Sequence, residues 1–218
     1  MTHSRSIRAS FQRQKPAAQK FLLCVILCLC GCEPLKLSED LVLDRSFDPE
    51  GPMEQIISPS GAISINAPSD WRTIKSSRYV FNPSSGVRKE LAMGSYQRDI
   101  FIAIYSSKIG PLDRNNPNIT RAPEVTLSEI AEYSASRIPQ KLENSYVERG
   151  PIQTTINGWP AIQYVIRFSE NGIDSVGLFT VLKHYEVVYT LLSGCPSDEL
   201  ETSKEELLAV TRSFRVLQ

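Results

Sequence analysis

The chain has 218 residues, 41% of them hydrophobic, with 24 basic and 24 acidic side chains and a formal net charge of zero. That length and apolar content fit one domain of ordinary size with a real core. With no surplus of Lys and Arg there is no electrostatic case for nucleic acid, where neutralising phosphate dominates affinity.

The first twenty residues carry Arg5, Arg8, Arg13, Lys15 and Lys20 and no acid, and an uncharged apolar run from Phe21 to Cys30 follows. A basic segment, a short apolar segment and a small residue at the cleavage point form the grammar of a secretory signal. As a helix, Phe21 to Cys32 reaches roughly 18 Å, well short of the ~30 Å hydrocarbon core, so no permanent transmembrane helix is expected. The run closes on Leu29-Cys30-Gly31-Cys32. This tetrapeptide resembles the lipobox of bacterial lipoproteins: an aliphatic residue, a small residue, Gly, then Cys. The resemblance implies a thioether-linked diacylglycerol on Cys32, cleavage after Gly31 and acylation of the new amine. It also implies a place on the bacterial cell envelope. Glu33 follows the cysteine, and by enteric-type sorting a residue other than Asp there implies the periplasmic face of the outer membrane.

Three segments are expected: a signal peptide over 1–31, a lipidated cysteine and acidic tether over 32–54, and one globular α+β domain over 55–218. Loss of the signal leaves a net charge of −5, and residues 33–54 carry all of it, so the domain itself is neutral. As a coil the tether reaches roughly 25 Å root-mean-square. Cys24, Cys28 and Cys30 leave with the signal and Cys32 is blocked by lipid. Cys195 then stands alone, and no intramolecular disulfide is expected.

Ala62 to Ala67 alternates and reads as a strand. Pro68 to Trp71 follows as a turn. Ser77 to Asn82 and Glu90 to Gln97 are strand candidates, and Ile100 to Tyr105, apolar on both faces, reads as central. Lys108 to Val125 has no periodicity. Thr126-Leu127-Ser128-Glu129 is a capping box, and Leu127, Ile130, Ala131, Ser134 and Ile138 lie on one helical face that Pro139 should end. Four strands come next: Glu148 to Thr155, Ala161 to Ser169, Ile173 to His184 and Val187 to Ser193. Asn157-Gly158 and Asn171-Gly172 join the first three as hairpins, since both residue types tolerate φ > 0. Gly194-Cys195-Pro196 is expected to break the last strand and Ser197 to cap a helix with the stripe Leu200, Leu207, Leu208, Thr211 and Phe214. This gives an antiparallel meander with helices covering one sheet face.

That order includes Pro68-x-x-Trp71, the capping box, Gly158-Trp159-Pro160-Ala161 and a terminal Ser213-Phe214. It resembles the PsbP-like fold group, which takes in the DcrB-type bacterial lipoproteins and the photosystem II extrinsic proteins, over about Ile56 to Val216. The resemblance implies an antiparallel sheet between helices, a PsbP-like sandwich, and a binding or assembly role. It maps no functional residue onto this chain and does not imply the photosystem role.

The chemistry is sparse. His184 is the one histidine after the signal, which excludes His-Glu-x-x-His, and with Cys195 alone no Cys/His zinc site assembles. His184 is read as a solvated turn residue and Cys195 as a small buried one. A Cys195–His184 hydrolase is the enzymatic alternative. Gly-x-Ser-x-Gly and phosphate-cradling Gly-rich loops are absent, and no cofactor or metal is expected. Trp71 and Trp159 either plug the ends of the sheet or stack on a sugar or peptide. On the second reading they join Arg114, Asn115, Asn116 and Arg121 of the long loop as a recognition surface. The expected partners are the membrane, through lipid on Cys32, and an unidentified envelope protein or ligand. A further alternative is a small molecule held in a cleft between sheet and helix.

Overall fold

The computed structural model describes residues 52–75, 86–109, 125–142, 144–170 and 172–217. The signal, the lipobox with Cys32, most of the tether, the strand expected at Ser77 to Asn82, and the loop residues Arg114, Asn115, Asn116 and Arg121 lie outside them.

Ten strands and two α-helices are described. A small antiparallel sheet has the order β1 (Met53–Ile57), β2 (Ile63–Pro68), β10 (Arg215–Val216). The main sheet is built from β3 (Arg72–Thr73), β4 (Val87–Ser95), β5 (Ile100–Lys108), β6 (Tyr146–Ile156), β7 (Trp159–Glu170), β8 (Ile173–His184) and β9 (Val187–Pro196). Its spatial order is β3-β4-β5-β9-β8-β7-β6, with antiparallel neighbours throughout. Helix α1 (Leu127–Ser136) and helix α2 (Leu200–Arg212) complete it. The architecture is α+β, as the alternating runs and the capping box foretold. β1 opens at Met53, two residues inside the segment read as tether.

The meander follows from its turns. Asn157 and Gly158 take φ of +48° and +82°, the conformation a two-residue hairpin of this twist requires. The Asn157 side chain then donates to the Arg212 and Phe214 carbonyls at 3.1 and 2.5 Å, which ties this hairpin to the end of α2. Asn171 lies outside the described residues, yet Glu170 pairs with Ile173 across the second hairpin. In α1 the Thr126 side chain accepts from the Glu129 amide, and the Glu129 carboxylate accepts from the Thr126 amide at 2.8 Å. The helix stops at Ser136 and a 3-10 turn carries Pro139.

Three expectations are corrected. Against the one-face reading of the meander, and as the PsbP-like resemblance implied, both faces of the main sheet are covered. On one side α1 sets Ala131 and Ala135, with Ile138 just beyond them, against Ile162, Tyr164, Phe179 and Val181. On the other, α2 and the small sheet close over Ile102, Ile104, Val165, Leu178 and Leu191. Gln163 lies in this second core: its side chain is fully buried and its amide donates to Thr180 Oγ1 at 2.9 Å. Next, Gly194 and Cys195 do not break β9, because they pair with Gly177 and Val176 of β8. The glycines are there for close approach. A Cβ on Gly194 would sit 2.8 Å from the Val176 carbonyl and 3.2 Å from the Phe101 ring, and one on Gly177 would sit 2.7 Å from the Ser193 carbonyl. Finally, Ser197 does not cap α2. Residues Ser197–Glu199 form a 3-10 turn, and the Ser197 hydroxyl accepts from Arg167 at 3.2 Å.

Candidate functional site

Of the residues singled out for chemistry, Arg114, Asn115, Asn116 and Arg121 lie outside the described residues, and Cys195 and His184 do not come together. Cys195 is fully buried. Burial, with Glu199 and Asp198 nearby, pushes its thiol up to about 12, so it holds its proton at neutral pH. It lies beside Val176, and His184 is eight residues further along β8, roughly 26 Å away at about 3.3 Å per residue. A general base must lie within hydrogen-bond reach, so the Cys195–His184 hydrolase is not assembled. His184 is not a solvated turn residue either. It is buried between the rings of Trp159 and Tyr185, whose centroids lie 4.3 and 4.6 Å from its own.

Trp71 and Trp159 occupy opposite ends of the main sheet. Trp71 is buried beside the Arg72–Gly94 pair, and its indole nitrogen donates to Glu206 of α2 at 2.7 Å. Arg98 grips the same carboxylate at 2.7 and 3.0 Å. This tryptophan is a plug with its polar atom satisfied, and it presents no stacking face. Trp159 opens β7 at the far end, beside the β8–β9 turn. Tyr185 of that turn is 78% exposed. The long loop leaves and returns at this end: the Ile109 amide donates to the Glu186 carbonyl at 2.7 Å, and Lys183 donates to the Val125 carbonyl at 3.2 Å.

A carboxylate that the strand pattern concealed is buried on the α2 side. Glu90 sits in a bulge of β4, where the register with β5 slips between Lys89 and Leu91. Its oxygens accept from Ser106 and Ser60, each at 2.5 Å, and from Arg88 at 2.7 Å. Burial alone would raise its pKa, but the hydroxyls of Ser106 and Ser60 and the Arg88 guanidinium outweigh it and hold the group below its ordinary value. With every contact satisfied, Glu90 is a clamp joining the β1–β2 loop to the sheet.

Because the folded pKa is depressed, the stability this clamp contributes is complete above the ordinary glutamate value of 4.5 and is lost as pH falls through the folded value. Ser106→Ala withdraws a donor from a buried anion and should cost about 2–3 kcal/mol at pH 7. Urea unfolding at pH 7 and pH 3 checks this. The cost should shrink at pH 3, and an equal loss at both pH values would show that Glu90 is not the charged member of the cluster.

On the α1 side the surface is not closed. Helix α1 packs over β7 and β8, and its flank borders β9 and β5. There a groove of about 340 Å³ opens. Its floor is Tyr105 and Ser107 of β5, Phe179 of β8, and Val188 and Thr190 of β9, with Val87 and Ile109 at the margin. Its wall is a second stripe of α1, Ile130, Tyr133, Ser134 and Arg137, continued by Ile138 and Lys141. Ile130 and Ser134 were read as part of the buried helical face, and what sequence reasoning missed is that Arg137 and Lys141 follow them past the helix end with cationic charge. The volume falls within the usual range of small-molecule sites, which combine apolar walls with a few polar groups. Among the described residues no three His, Cys, Asp or Glu side chains converge as a metal site would require.

No family model and no curated protein matches the sequence. Among solved structures, cyanobacterial PsbP (CyanoP) from Synechocystis sp. PCC 6803 superposes with a TM-score of 0.53 at 14% identity, over 79% of this chain and 98% of that one. The fold is PsbP-like. LpqN of Mycobacterium tuberculosis, described as involved in cell envelope biogenesis, aligns at a TM-score of 0.47 and 13% identity, over 78% of this chain and 92% of that one. At these identities the likeness is one of fold. The groove in this PsbP-like domain is described by its own side chains, and it lies on the opposite face of the sheet from Glu90 and Cys195.

Proposed function

We propose that this protein is a lipid-anchored binding module of the bacterial cell envelope, held to the membrane by lipid on Cys32, with a ligand site in the groove between α1 and the main sheet. The groove carries the reading: an apolar floor, hydroxyls of Ser107, Thr190 and Tyr133, and two cations share one concavity. The anchor rests on Leu29-Cys30-Gly31-Cys32 and on an apolar run too short to span a bilayer. By the sorting rule given above, Glu33 directs the module to the periplasmic face of the outer membrane. The fold serves as a scaffold for binding, and the one cysteine among the described residues, Cys195, is buried and keeps its proton, which speaks against a thiol nucleophile.

The neutral dye N-phenyl-1-naphthylamine tests the site, using the full chain carrying Cys32→Ser in detergent-free buffer. Its fluorescence should rise on binding. Ser134→Trp, which places an indole in the groove from the helix side, should weaken the dye at least tenfold. An unchanged titration sinks the groove as a ligand site.

A further inference from the structure

We infer that the groove beside α1 takes an amphipathic anion, with its apolar body against Phe179, Val188 and Ile130 and its carboxylate or phosphate at Arg137 and Lys141. This rests on the reading of the groove as the ligand site and adds the chemical class of the ligand.

Three observations carry it. First, polarity is segregated. The apolar side chains Phe179, Val188, Ile130 and Ile138 lie together, while the cations stand where α1 ends. A wholly polar ligand would leave the floor unused, and a wholly apolar one would leave the cations idle. Second, no Asp or Glu lines the groove. Arg137 and Lys141 are exposed and neither forms an ion pair among the described residues. Arg98 and Arg167, by contrast, are held by Glu206 and Glu148, both at 2.7 Å. Third, the polar groups above the floor are hydroxyls, which solvate a headgroup without adding charge. Ser107 and Thr190 are half-buried on adjacent strands, and Ser134 faces them from α1. Cations at the end of a helix also offset its dipole. That role is indifferent to what fills the groove, so the experiment separates it from binding.

Displacement of N-phenyl-1-naphthylamine at pH 7.5, where a carboxylate is ionised, tests the class. The probes are butyrate, octanoate, decanoate, dodecanoate and decanol, against the full chain carrying Cys32→Ser. Each methylene added from octanoate should tighten binding about fourfold until the groove is full, which is the ~0.8 kcal/mol per buried methylene expressed as an affinity ratio. Decanoate should bind more tightly than decanol. The double variant Arg137→Gln with Lys141→Gln should weaken decanoate about tenfold and leave decanol unchanged. Salt at 0.5 M should erase much of the difference between the two probes, because exposed charges are screened. Circular dichroism should show that the double variant, altered only at exposed positions, is folded.

Equal binding of decanoate and decanol, unchanged by the double variant, overturns the anionic headgroup and leaves the groove standing. Butyrate binding as tightly as decanoate overturns the apolar body. If no probe displaces the dye, and Ser134→Trp also has no effect on it, the groove is not a ligand site and both readings fall together.

Discussion

Replacing Cys32 with serine is expected to move the protein from the membrane pellet to the soluble fraction. The size of the effect follows from the anchor. One acyl chain gives only reversible attachment at ~0.8 kcal/mol per buried methylene, whereas the several chains of a mature lipoprotein hold stably. Little else would keep the chain there. Residues 33–54 are acidic and would be repelled by anionic headgroups. The folded part is neutral, and among the described residues no helix is long and apolar enough to cross a membrane. Cell fractionation with a carbonate wash, together with incorporation of labelled palmitate, checks the expectation. Wild-type chain should pellet and carry label, and the Cys32→Ser chain should do neither. A variant that still pellets through the carbonate wash would mean that the apolar run, and not lipid, is the anchor.

Truncating Phe101 to alanine is expected to lower the free energy of unfolding by about 3–5 kcal/mol, the usual cost of emptying a buried aromatic site. Domains of this kind have only about 5–15 kcal/mol to lose. Phe101 is 1% exposed and lies in a row of small partners: it pairs with Gly94 on one side and Gly194 on the other. Its ring stands edge-on to Phe168, with centroids 6.4 Å apart. Glycine leaves a hole in a sheet face, and here two aromatic rings fill it. Surrounding strands cannot collapse into the space, so the cost should fall at the upper end of the range. Gly94→Ala attacks the same row from the opposite direction. Its Cβ would collide with the Ile100 carbonyl oxygen, a backbone atom that cannot swing aside, and the loss should be at least as large. Urea unfolding of the full chain checks both. A loss below about 1 kcal/mol for Phe101→Ala would mean that the row repacks freely, contrary to the close density of protein interiors.

How far the chain could be read depended on whether a signal was local. Thr126 and Glu129 lie three residues apart and cap the same helix end, so the box was legible in four letters. Asn157-Gly158 was legible for the same reason. Gly194 was misread because its partner, Gly177, lies seventeen residues earlier, and a glycine that permits close approach looks the same in sequence as one that ends a strand. The burial of Gln163 was not legible, because alternation reveals two faces but not whether a second layer covers the outer one; α2 and the small sheet supply that layer from elements distant in sequence. Glu90 looked like an ordinary charge on a strand. Only the bulge and the arrival of Ser60 from the β1–β2 loop and Ser106 from β5 turn it into a buried clamp. The site was less legible than the fold. Tryptophans drew attention because they are large, yet Trp71 is a plug, and the groove is made of modest residues that assemble only when α1 settles to one side of the sheet.

The main sheet carries a packed core on each face, and the two cores share strands. β5, β9 and β8 serve both cores at once, so neither layer can be peeled away without exposing the back of the other. The backbone amides of those three strands should therefore exchange with solvent hydrogen only when the entire domain opens, and heating should produce one cooperative transition. Occupancy of the α1 side then stabilises the α2 side equally, through the strands they share, and a ligand raises the melting temperature of the whole.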